Sequence, residues 1–159
     1  MPTSEPHPGS LQLISPVFRE GTSIPIQYTC RGSGVSMPLN ILDAPLETQS
    51  FALILHDPDA PAGDFLHWLM WDIPSSTEII AANSVPVGAV QGLNGLEETG
   101  YVPPCPPAGS GTHRYVFELY ALDTTLDLPS ESGKEEVQQA MKDHVIDETT
   151  LTGIFSATS

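Results

Sequence analysis

Hydrophobic and polar positions alternate with a period of two in several short segments of the chain, which is the pattern of β-strands buried on one face. Residues 11–15 (LQLIS) alternate in this way, and residues 24–29 (IPIQYT) follow the turn-like sequence EGTS. Residues 112–123 (THRYVFELYALD) form the longest alternating segment. Because turn residues bound each segment, the pattern predicts three strands.

Two further segments are apolar on both faces. Residues 51–56 (FALILH) begin with a continuous apolar run bounded by turn residues, as expected for a strand covered on both sides. Strict alternation along residues 66–73 (LHWLMWDI) places four residues on one face, namely His67, Leu69, Trp71 and Ile73. Leu66, Trp68 and Met70 would occupy the other face, so this strand is also predicted to be covered on both sides.

One helix is predicted near the end of the chain, over residues 132–145 (SGKEEVQQAMKDHV). Ser132 and Glu135 have the spacing of a capping box. An apolar stripe along one helix face is formed by Val137, Ala140, Met141, His144 and Val145. Residues 151–155 (LTGIF) predict a closing strand, and the proline- and glycine-rich residues 92–112 predict a stiff loop. The pattern therefore indicates a mainly β single domain with a C-terminal helix.

The composition fits one globular domain of 159 residues, with 40% hydrophobic and 16% charged residues. The charge is unusual, because 20 acidic residues face only five basic ones and give a formal net charge of −15. Nucleic acids and anionic membrane surfaces bind clustered Lys and Arg, so we expect no nucleic-acid partner. No apolar run approaches the roughly 20 residues of a transmembrane helix, so no transmembrane segment is predicted.

The N-terminal residues 1–10 (MPTSEPHPGS) have neither a basic start nor an apolar stretch, so they predict a short disordered tail rather than a signal peptide. Residues 11–159 form the predicted domain, and cytoplasmic residence is the expectation. Cys30 and Cys105 match no zinc-binding spacing. They could form a disulfide or remain two small buried thiols, and cytoplasmic residence favours the thiols.

Four polar side chains are predicted to meet at one end of the sheet. About nine residues rich in Pro, Gly and Asp join the two apolar segments, a length that suits a hairpin. In a hairpin the end of the first strand lies beside the start of the second, so Asp57 and His67 become neighbours. His113 starts the longest alternating segment, and Tyr115 projects from the same face. If that strand joins the sheet in the matching direction, all four side chains line one pocket, and the proline-rich loop forms its rim.

Each of these residues also has an ordinary structural interpretation. An Asp before Pro is usually a turn residue, and a His or Tyr in a strand is more often a core residue than a ligand contact. Asp57, His67 and His113 could instead form a two-His, one-carboxylate metal site or a general acid–base pair. The sequence places no Ser or Cys nucleophile with them, which weighs against catalysis.

The same residues resemble the signature sequences of the phosphatidylethanolamine-binding protein family, and more narrowly its bacterial and archaeal Raf-kinase-inhibitor-like branch. The motifs are DPDAP (57–61), HW (67–68) and GTHRYVFELYALD (111–123), supported by GYVPPCPPAG (100–109). The resemblance runs from about residue 18 to near the end of the chain. It implies a two-sheet, β-sandwich-like fold with a small anion-binding cavity at one end of the domain.

The resemblance also implies which residues line that cavity. The first acid of DPDAP is Asp57, the His of HW is His67, and HRY supplies His113 and Tyr115. Phe65 stands where some relatives carry a Trp that flanks the cavity. The wall and its backbone donors would come from three residues of the proline-rich loop, namely Pro103, Cys105 and Pro107.

The resemblance bears on the details of this site in three ways. It implies that the Ala60–Pro61 peptide bond is cis. Arg31 departs from the family pattern, because relatives commonly carry an acid there. Pro103 also departs from it and removes a backbone N–H from the wall that is expected to donate to an anion. We therefore expect a weaker or reshaped anion site.

Together these observations predict a non-enzymatic protein that binds a small anion or a phosphorylated head group, with no cofactor and no metal. The resemblance adds a regulatory role toward a protein partner. The alternative is a protein inhibitor of a kinase or a peptidase that acts through the pocket rim. A third hypothesis is a metal- or acid–base-dependent hydrolase that uses Asp57, His67 and His113.

Two further expectations concern assembly and pH. Bacterial relatives can pair, so the resemblance is compatible with a homodimer. Two imidazoles in one pocket predict weak anion binding that is stronger near pH 6 than near pH 8, since protonation makes each ring a cationic donor.

Overall fold

The computed structural model describes residues 9–157, and its secondary structure is mainly β, as predicted. In chain order the strands are β1 (Gln12–Ile14), β2 (Leu39–Leu42), β3 (Ser50–Asp57), β4 (Phe65–Pro74), β5 (Ile79–Ile80), β6 (Val90–Gln91), β7 (Thr112–Leu122) and β8 (Val145–Ser156). A single α-helix within the described range, α1 (Lys134–Met141), lies between β7 and β8. Of the predicted N-terminal tail, residues 1–8 lie outside the described residues.

The strands form two antiparallel sheets. The smaller sheet has the order β1-β2-β5, and the larger has the order β6-β4-β3-β7-β8. Strand β3 lies at the centre of the larger sheet and pairs antiparallel with both β4 and β7. Strands β4 and β7 therefore run in the same direction, and both begin beside the end of β3. The shared pocket was predicted on the condition that the strands of His67 and His113 run in the same direction, and this arrangement meets that condition.

Apolar side chains cover both faces of the larger sheet. One face packs against the smaller sheet, where Phe51, Leu53 and Leu55 of β3 join Leu39 and Ile41 of β2 in the main core. The opposite face carries a second cluster, to which Val137 and Met141 of α1 contribute. The architecture is thus the predicted two-sheet sandwich, with the helix on the outer face of the larger sheet.

Strand β4 contains two register shifts that make its predicted alternation wrong. Leu55 pairs with Trp68 but His56 pairs with Leu66, so His67 is an extra residue in β4. A second shift follows near Asp72, whose backbone has a positive φ of 54°. Each extra residue reverses the facing of those beyond it. As a result Trp68, Met70 and Ile73 share the core between the sheets, whereas Leu69 and Trp71 lie in the second cluster.

The predicted strand at residues 24–29 is also wrong. Residues Ile26–Tyr28 form a short 3₁₀ helix. Pro25 precedes it with a φ of −59°, and the Tyr28 amide donates to the Pro25 carbonyl at 3.1 Å. The Thr29 hydroxyl donates back to the Ile26 carbonyl at 2.7 Å. Hydrogen bonds within the turn therefore satisfy backbone groups of this segment, although its apolar content suits a strand.

The helix is shorter than predicted and its cap differs. It begins at Lys134, and the Gly133 amide donates to the Glu136 carboxylate at 2.7 Å, in place of the expected Ser132–Glu135 pair. Ser132 is buried and its carbonyl accepts from the Leu93 amide, so it is held outside the helix. At the other end, residues 151–155 belong to the longer strand β8, which confirms the closing strand.

Cys30 and Cys105 form a disulfide, and both residues are exposed, so the expectation of two buried thiols is wrong. The bridge joins the segment after the 3₁₀ helix to the proline-rich loop. A backbone bond supports the same junction, because the Cys30 amide donates to the Pro104 carbonyl at 3.0 Å.

Breaking the disulfide is expected to lower the free energy of unfolding by about 2–4 kcal/mol, because the bridge closes a loop whose ends are 75 residues apart. Urea denaturation with and without dithiothreitol measures this change. The double variant Cys30→Ala, Cys105→Ala should match the reduced wild type and should not respond to dithiothreitol. Two free thiols before reduction, with no effect of dithiothreitol on the wild type, would contradict the bridge.

Candidate ligand-binding site

A cavity of about 340 Å³ opens at the end of β3, beside the starts of β4 and β7. All eight residues that the sequence singles out line it: Asp57, Phe65, His67, Pro103, Cys105, Pro107, His113 and Tyr115. The loop between β3 and β4 also contributes, through Ala60, Pro61, Ala62 and Gly63. The convergence of these residues is therefore a structural fact, and their role in binding a ligand stays a prediction.

The register shift in β4 explains how His67 reaches the cavity. With uninterrupted alternation, His67 and Trp68 would face opposite sides of the sheet. Because His67 is the extra residue, it lines the cavity while the adjacent Trp68 lies in the core between the sheets. On β7, His113 and Tyr115 occupy alternate positions and face the same side without any irregularity.

Asp57 and His113 form a buried hydrogen-bonded pair. The carboxylate Oδ2 of Asp57 lies 2.7 Å from Nδ1 of His113, and the two residues are only 3% and 2% exposed. The other carboxylate oxygen, Oδ1, accepts from the Asp59 amide at 2.8 Å. Asp57 therefore has fixed partners on both oxygens and orients the His113 ring.

The second nitrogen of His113 also has a protein partner. Its Nε2 lies 2.9 Å from the hydroxyl oxygen of Ser110, and that hydroxyl also donates to the Pro107 carbonyl at 2.6 Å. Both nitrogens of His113 are thus occupied, which differs from the expectation that this ring offers an N–H to a ligand. The sequence placed no serine with these residues, whereas the fold brings the Ser110 hydroxyl to His113. Ser110 precedes His113 by three residues in the sequence GSGTH, the one local signal that could have indicated it.

His67 keeps one ring nitrogen free for a ligand. Its Nδ1 donates to the Val102 carbonyl at 2.7 Å, which fixes the tautomer of the neutral ring and leaves the lone pair on Nε2. Within residues 9–157 no protein group bonds to this Nε2. Burial lowers the pKa of His67, and the Val102 carbonyl and the Asp57 charge oppose this only in part. The ring packs edge-on against Phe65 and Tyr115, with centroid distances of 4.8 and 5.3 Å.

Tyr115 supplies a second unoccupied polar atom. Its ring is buried, and its hydroxyl has no hydrogen-bond partner in the described part of the chain. Burial raises the pKa of Tyr115, and the nearby Asp57 charge adds to the rise, so the hydroxyl keeps its proton at neutral pH. Tyr115 can therefore donate a hydrogen bond to an anion oxygen.

Two carboxylates hold the loop between β3 and β4 in place. Asp59 accepts from the Arg114 amide, Nε and Nη2, each at 2.9 Å. Hydrogen bonds from Arg114 lower the pKa of Asp59 to about 2. On the opposite side, Asp64 lies 2.7 Å from His56 and 3.5 Å from Lys134. These contacts fix the loop that forms one rim of the cavity.

The predicted cis bond at Ala60–Pro61 is wrong, because residues 9–157 contain no cis peptide bond. The loop instead closes through backbone turns, since the Gly63 amide donates to the Ala60 carbonyl at 2.9 Å. The Ala60–Pro61 peptide is trans, which is the commoner isomer before proline.

The opposite rim is apolar. Pro103, Pro106 and Pro107 line the cavity and have no backbone N–H to offer. The metal hypothesis finds no support, because no group of three His, Cys, Asp or Glu residues within residues 9–157 could hold a metal ion. Most potential ligand atoms are engaged by protein groups instead. The polar atoms left for a ligand are chiefly His67 Nε2 and the Tyr115 hydroxyl.

Comparisons with known proteins agree with these observations. A family model described as phosphatidylethanolamine-binding protein matches residues 14–156. A UPF0098 protein from Methanothermobacter thermautotrophicus is 43% identical over 150 residues, which cover 91% of this chain and 98% of that protein. A crystal structure of a homologue of this family from Chlamydia trachomatis superposes with a TM-score of 0.89 at 39% identity, over 92% of this chain and 97% of the other.

One further relative bears on localisation. A protein from Mycobacterium tuberculosis named lipoprotein LppC is 36% identical over 154 residues, covering 97% of this chain and 74% of the relative. In this chain, none of the helices within residues 9–157 has the length and apolar character required to cross a bilayer.

We expect the pKa of His56, on β3, to lie above the ordinary value for histidine and the pKa of His67, on β4, to lie below it. Hydrogen bonding to Glu118 raises the pKa of His56, and Asp64 adds to the rise while partial burial opposes it. An NMR titration should therefore place His67 below 6.5 and His56 above it. Glu118→Gln should lower the pKa of His56 and leave His67 unchanged, which makes His67 the internal control. A His67 ring that titrates at or above 6.5 would refute the assignment of its environment.

Proposed function

This chain belongs to the phosphatidylethanolamine-binding protein family, and from that premise we propose that its cavity binds a small anion or a phosphorylated head group without transforming it. The observation that carries the proposal is the pair of unoccupied polar atoms, His67 Nε2 and the Tyr115 hydroxyl, in a cavity with largely apolar walls. Ligand sites of this kind combine an apolar surface with a few convergent polar groups.

The two atoms suit a ligand that can both accept and donate. The Tyr115 hydroxyl donates to an anion oxygen at any pH near neutrality. The neutral His67 ring accepts at Nε2, so it matches a protonated oxygen of a monoanion such as dihydrogen phosphate. Once protonated, His67 donates at the same atom and adds a positive charge.

The electrostatic surroundings favour monoanions over dianions. The protein carries a net charge of −15, and Asp57 adds a carboxylate at the cavity itself. The Asp57 oxygens are bonded to His113 and to the Asp59 amide, which partly compensates this charge. A doubly charged ligand would still meet a repulsive field, so a single negative charge or a zwitterionic head group fits best.

The size and walls of the cavity add an apolar requirement. At about 340 Å³ the cavity falls at the small end of ligand pockets. Phe65 and the prolines of the wall offer surface for a short apolar group next to the anionic end. We therefore propose an amphipathic ligand, with its charged end at His67 and Tyr115.

A second candidate function is inhibition or regulation of a protein partner, for which a kinase or a peptidase is our proposal. The observation that favours it is the stiffness of the wall loop, in which four prolines flank Cys105 and the disulfide anchors that residue. A rigid loop loses little conformational entropy on binding. A ligand in the cavity contacts the same loop, so it could modulate such a partner.

Two observations bear on where the protein acts. The Cys30–Cys105 disulfide is typical of oxidising compartments, and one relative is named as a lipoprotein. Cytoplasmic residence, expected from the sequence, therefore stays a prediction. The homodimer stays a prediction as well.

Acetate and phosphate should both bind more tightly near pH 6 than near pH 8. Burial lowers the pKa of His67 in the free protein, but a bound anion favours the protonated ring, which adds a donor and a charge at the binding atom, and this protonation costs less near pH 6 than near pH 8. Isothermal titration calorimetry measures this. Acetate keeps one charge at both pH values, so it separates the effect of His67 from protonation of the ligand. His67→Asn should remove the pH dependence of acetate binding, and Tyr115→Phe should weaken acetate binding by about tenfold at both pH values.

The control variant is His144→Asn, since His144 bonds to Asp123 and does not line the cavity. This change should leave acetate binding as in the wild type. Equal affinity in the wild type and in His67→Asn at both pH values, or no binding to either, would rule out the proposed anion site.

For the partner hypothesis, replacing Pro103 and Pro107 by Ala should reduce recovery of a bound partner by about tenfold in a pull-down, because the loop becomes flexible. Pro16→Ala with Pro129→Ala changes two exposed prolines that do not line the cavity, and it should leave recovery unchanged. A partner recovered equally by both variants does not use the rim.

A further inference from the structure

We propose that Ser110 is a nucleophilic serine, activated by His113 and Asp57, that accepts the acyl group of small uncharged esters. This inference goes beyond ligand binding, because it adds a covalent reaction at Ser110, which bonds to two residues of the cavity wall, Pro107 and His113. The reaction depends on His113, which the proposed anion does not bind, because both of its ring nitrogens bond to protein groups.

The three side chains form one continuous chain of hydrogen bonds. Asp57 Oδ2 lies 2.7 Å from His113 Nδ1, and His113 Nε2 lies 2.9 Å from the Ser110 hydroxyl oxygen. These are the contacts of a nucleophile, a general base and a group that orients the base. Burial of Asp57 and His113 holds the ring in this orientation, with Nε2 toward Ser110.

The Ser110 hydroxyl has two acceptors within reach. It donates to the Pro107 carbonyl at 2.6 Å, and it can turn its proton toward His113 Nε2 at 2.9 Å when that nitrogen carries a lone pair. The neutral ring with its proton on Nδ1, bonded to Asp57, has this lone pair. Only the proton has to move, because the oxygen already lies at hydrogen-bond distance from the base.

The backbone around Ser110 leaves it open to a substrate. Ser110 is exposed and lies between Gly109 and Gly111, which have positive φ angles of 81° and 84°. A Cβ built on either glycine would meet nothing within 4 Å, so the space beside the serine is free. Within residues 9–157 the Gly111 amide bonds to no other group. Gly111 follows Ser110 directly, which is the position that supplies one oxyanion donor in α/β-hydrolases.

The reaction balances without a cofactor. The Ser110 oxygen attacks the ester carbonyl carbon, and its proton passes to His113 Nε2. The bond between that carbon and the alcohol oxygen then breaks, and the alcohol leaves with the proton from His113. Water attacks the acyl-serine in the second step, its proton passes through Nε2 to the serine oxygen, and the carboxylic acid is released.

The surroundings define the substrate class. Pro107, which bonds to Ser110 through its carbonyl, also lines the apolar wall of the cavity, so a short acyl group can pack there. The net charge of −15 disfavours an anionic ester. Short-chain esters without charge fit both conditions.

The test uses the full-length protein and p-nitrophenyl acetate. Nitrophenolate release gives the rate, and mass spectrometry of peptides locates the acetyl group. We expect the acetyl group on Ser110 and a loss of at least about tenfold in rate for Ser110→Ala and for His113→Gln. The matched control is Ser33→Ala, because Ser33 lies exposed in another Gly-Ser-Gly sequence without an imidazole contact, and its rate should equal that of the wild type.

His113 is buried, so His113→Gln is used only if thermal denaturation shows a folded protein. The location of the acetyl group in the wild type needs no variant and keeps the proposal open to refutation. The proposal is overturned if no acetyl group is found on Ser110, if Ser110 and Ser33 are acetylated equally, or if Ser110→Ala releases nitrophenolate at the wild-type rate.

Discussion

Antiparallel pairing of β3 with both of its neighbours is the constraint on which the rest of the site depends. Because β4 and β7 each run opposite to β3, their first residues lie beside its last one. Asp57, His67 and His113 are thereby brought together, although up to 56 residues separate them in the chain. The two buried faces of β3 fix this register, since a shift by one residue would move Phe51, Leu53 and Leu55 from the core between the sheets into the cluster beneath α1.

The polar side chains of the site fall into two groups, according to whether protein groups occupy all of their hydrogen-bonding atoms. Asp57, His113 and Ser110 bond to one another and to the backbone, so they form a closed arrangement at one side of the cavity. His67 bonds through one nitrogen only and Tyr115 through none in the described chain. We therefore propose separate atoms for the two roles, His67 Nε2 and the Tyr115 hydroxyl for the ligand and the Ser110 oxygen for nucleophilic attack, although the residues are neighbours.

Much of this arrangement could be predicted from the sequence, because continuous apolar runs and alternation are patterns within one segment of the chain and need no knowledge of how strands pair. The convergence of Asp57, His67 and His113 followed from a short connection and from strand ends. The extra residue at His67 could not be predicted, since it depends on how β4 pairs with β3 rather than on β4 alone. Ser110 was missed because an exposed serine between glycines looks like an ordinary loop residue until the fold brings His113 beside it. The strand expected at residues 24–29 failed because Pro25 and Thr29 favour local turn bonds there.

A crystal structure with acetate bound near pH 6 tests the central claim most directly. The claim is that the ligand binds to His67 and Tyr115, while both nitrogens of His113 stay bonded to protein groups. The account predicts an acetate oxygen within hydrogen-bond distance of His67 Nε2 and the Tyr115 hydroxyl, with His113 still bonded to Asp57 and Ser110. Acetate bonded to His113 Nε2, with Ser110 displaced from the ring, would contradict it.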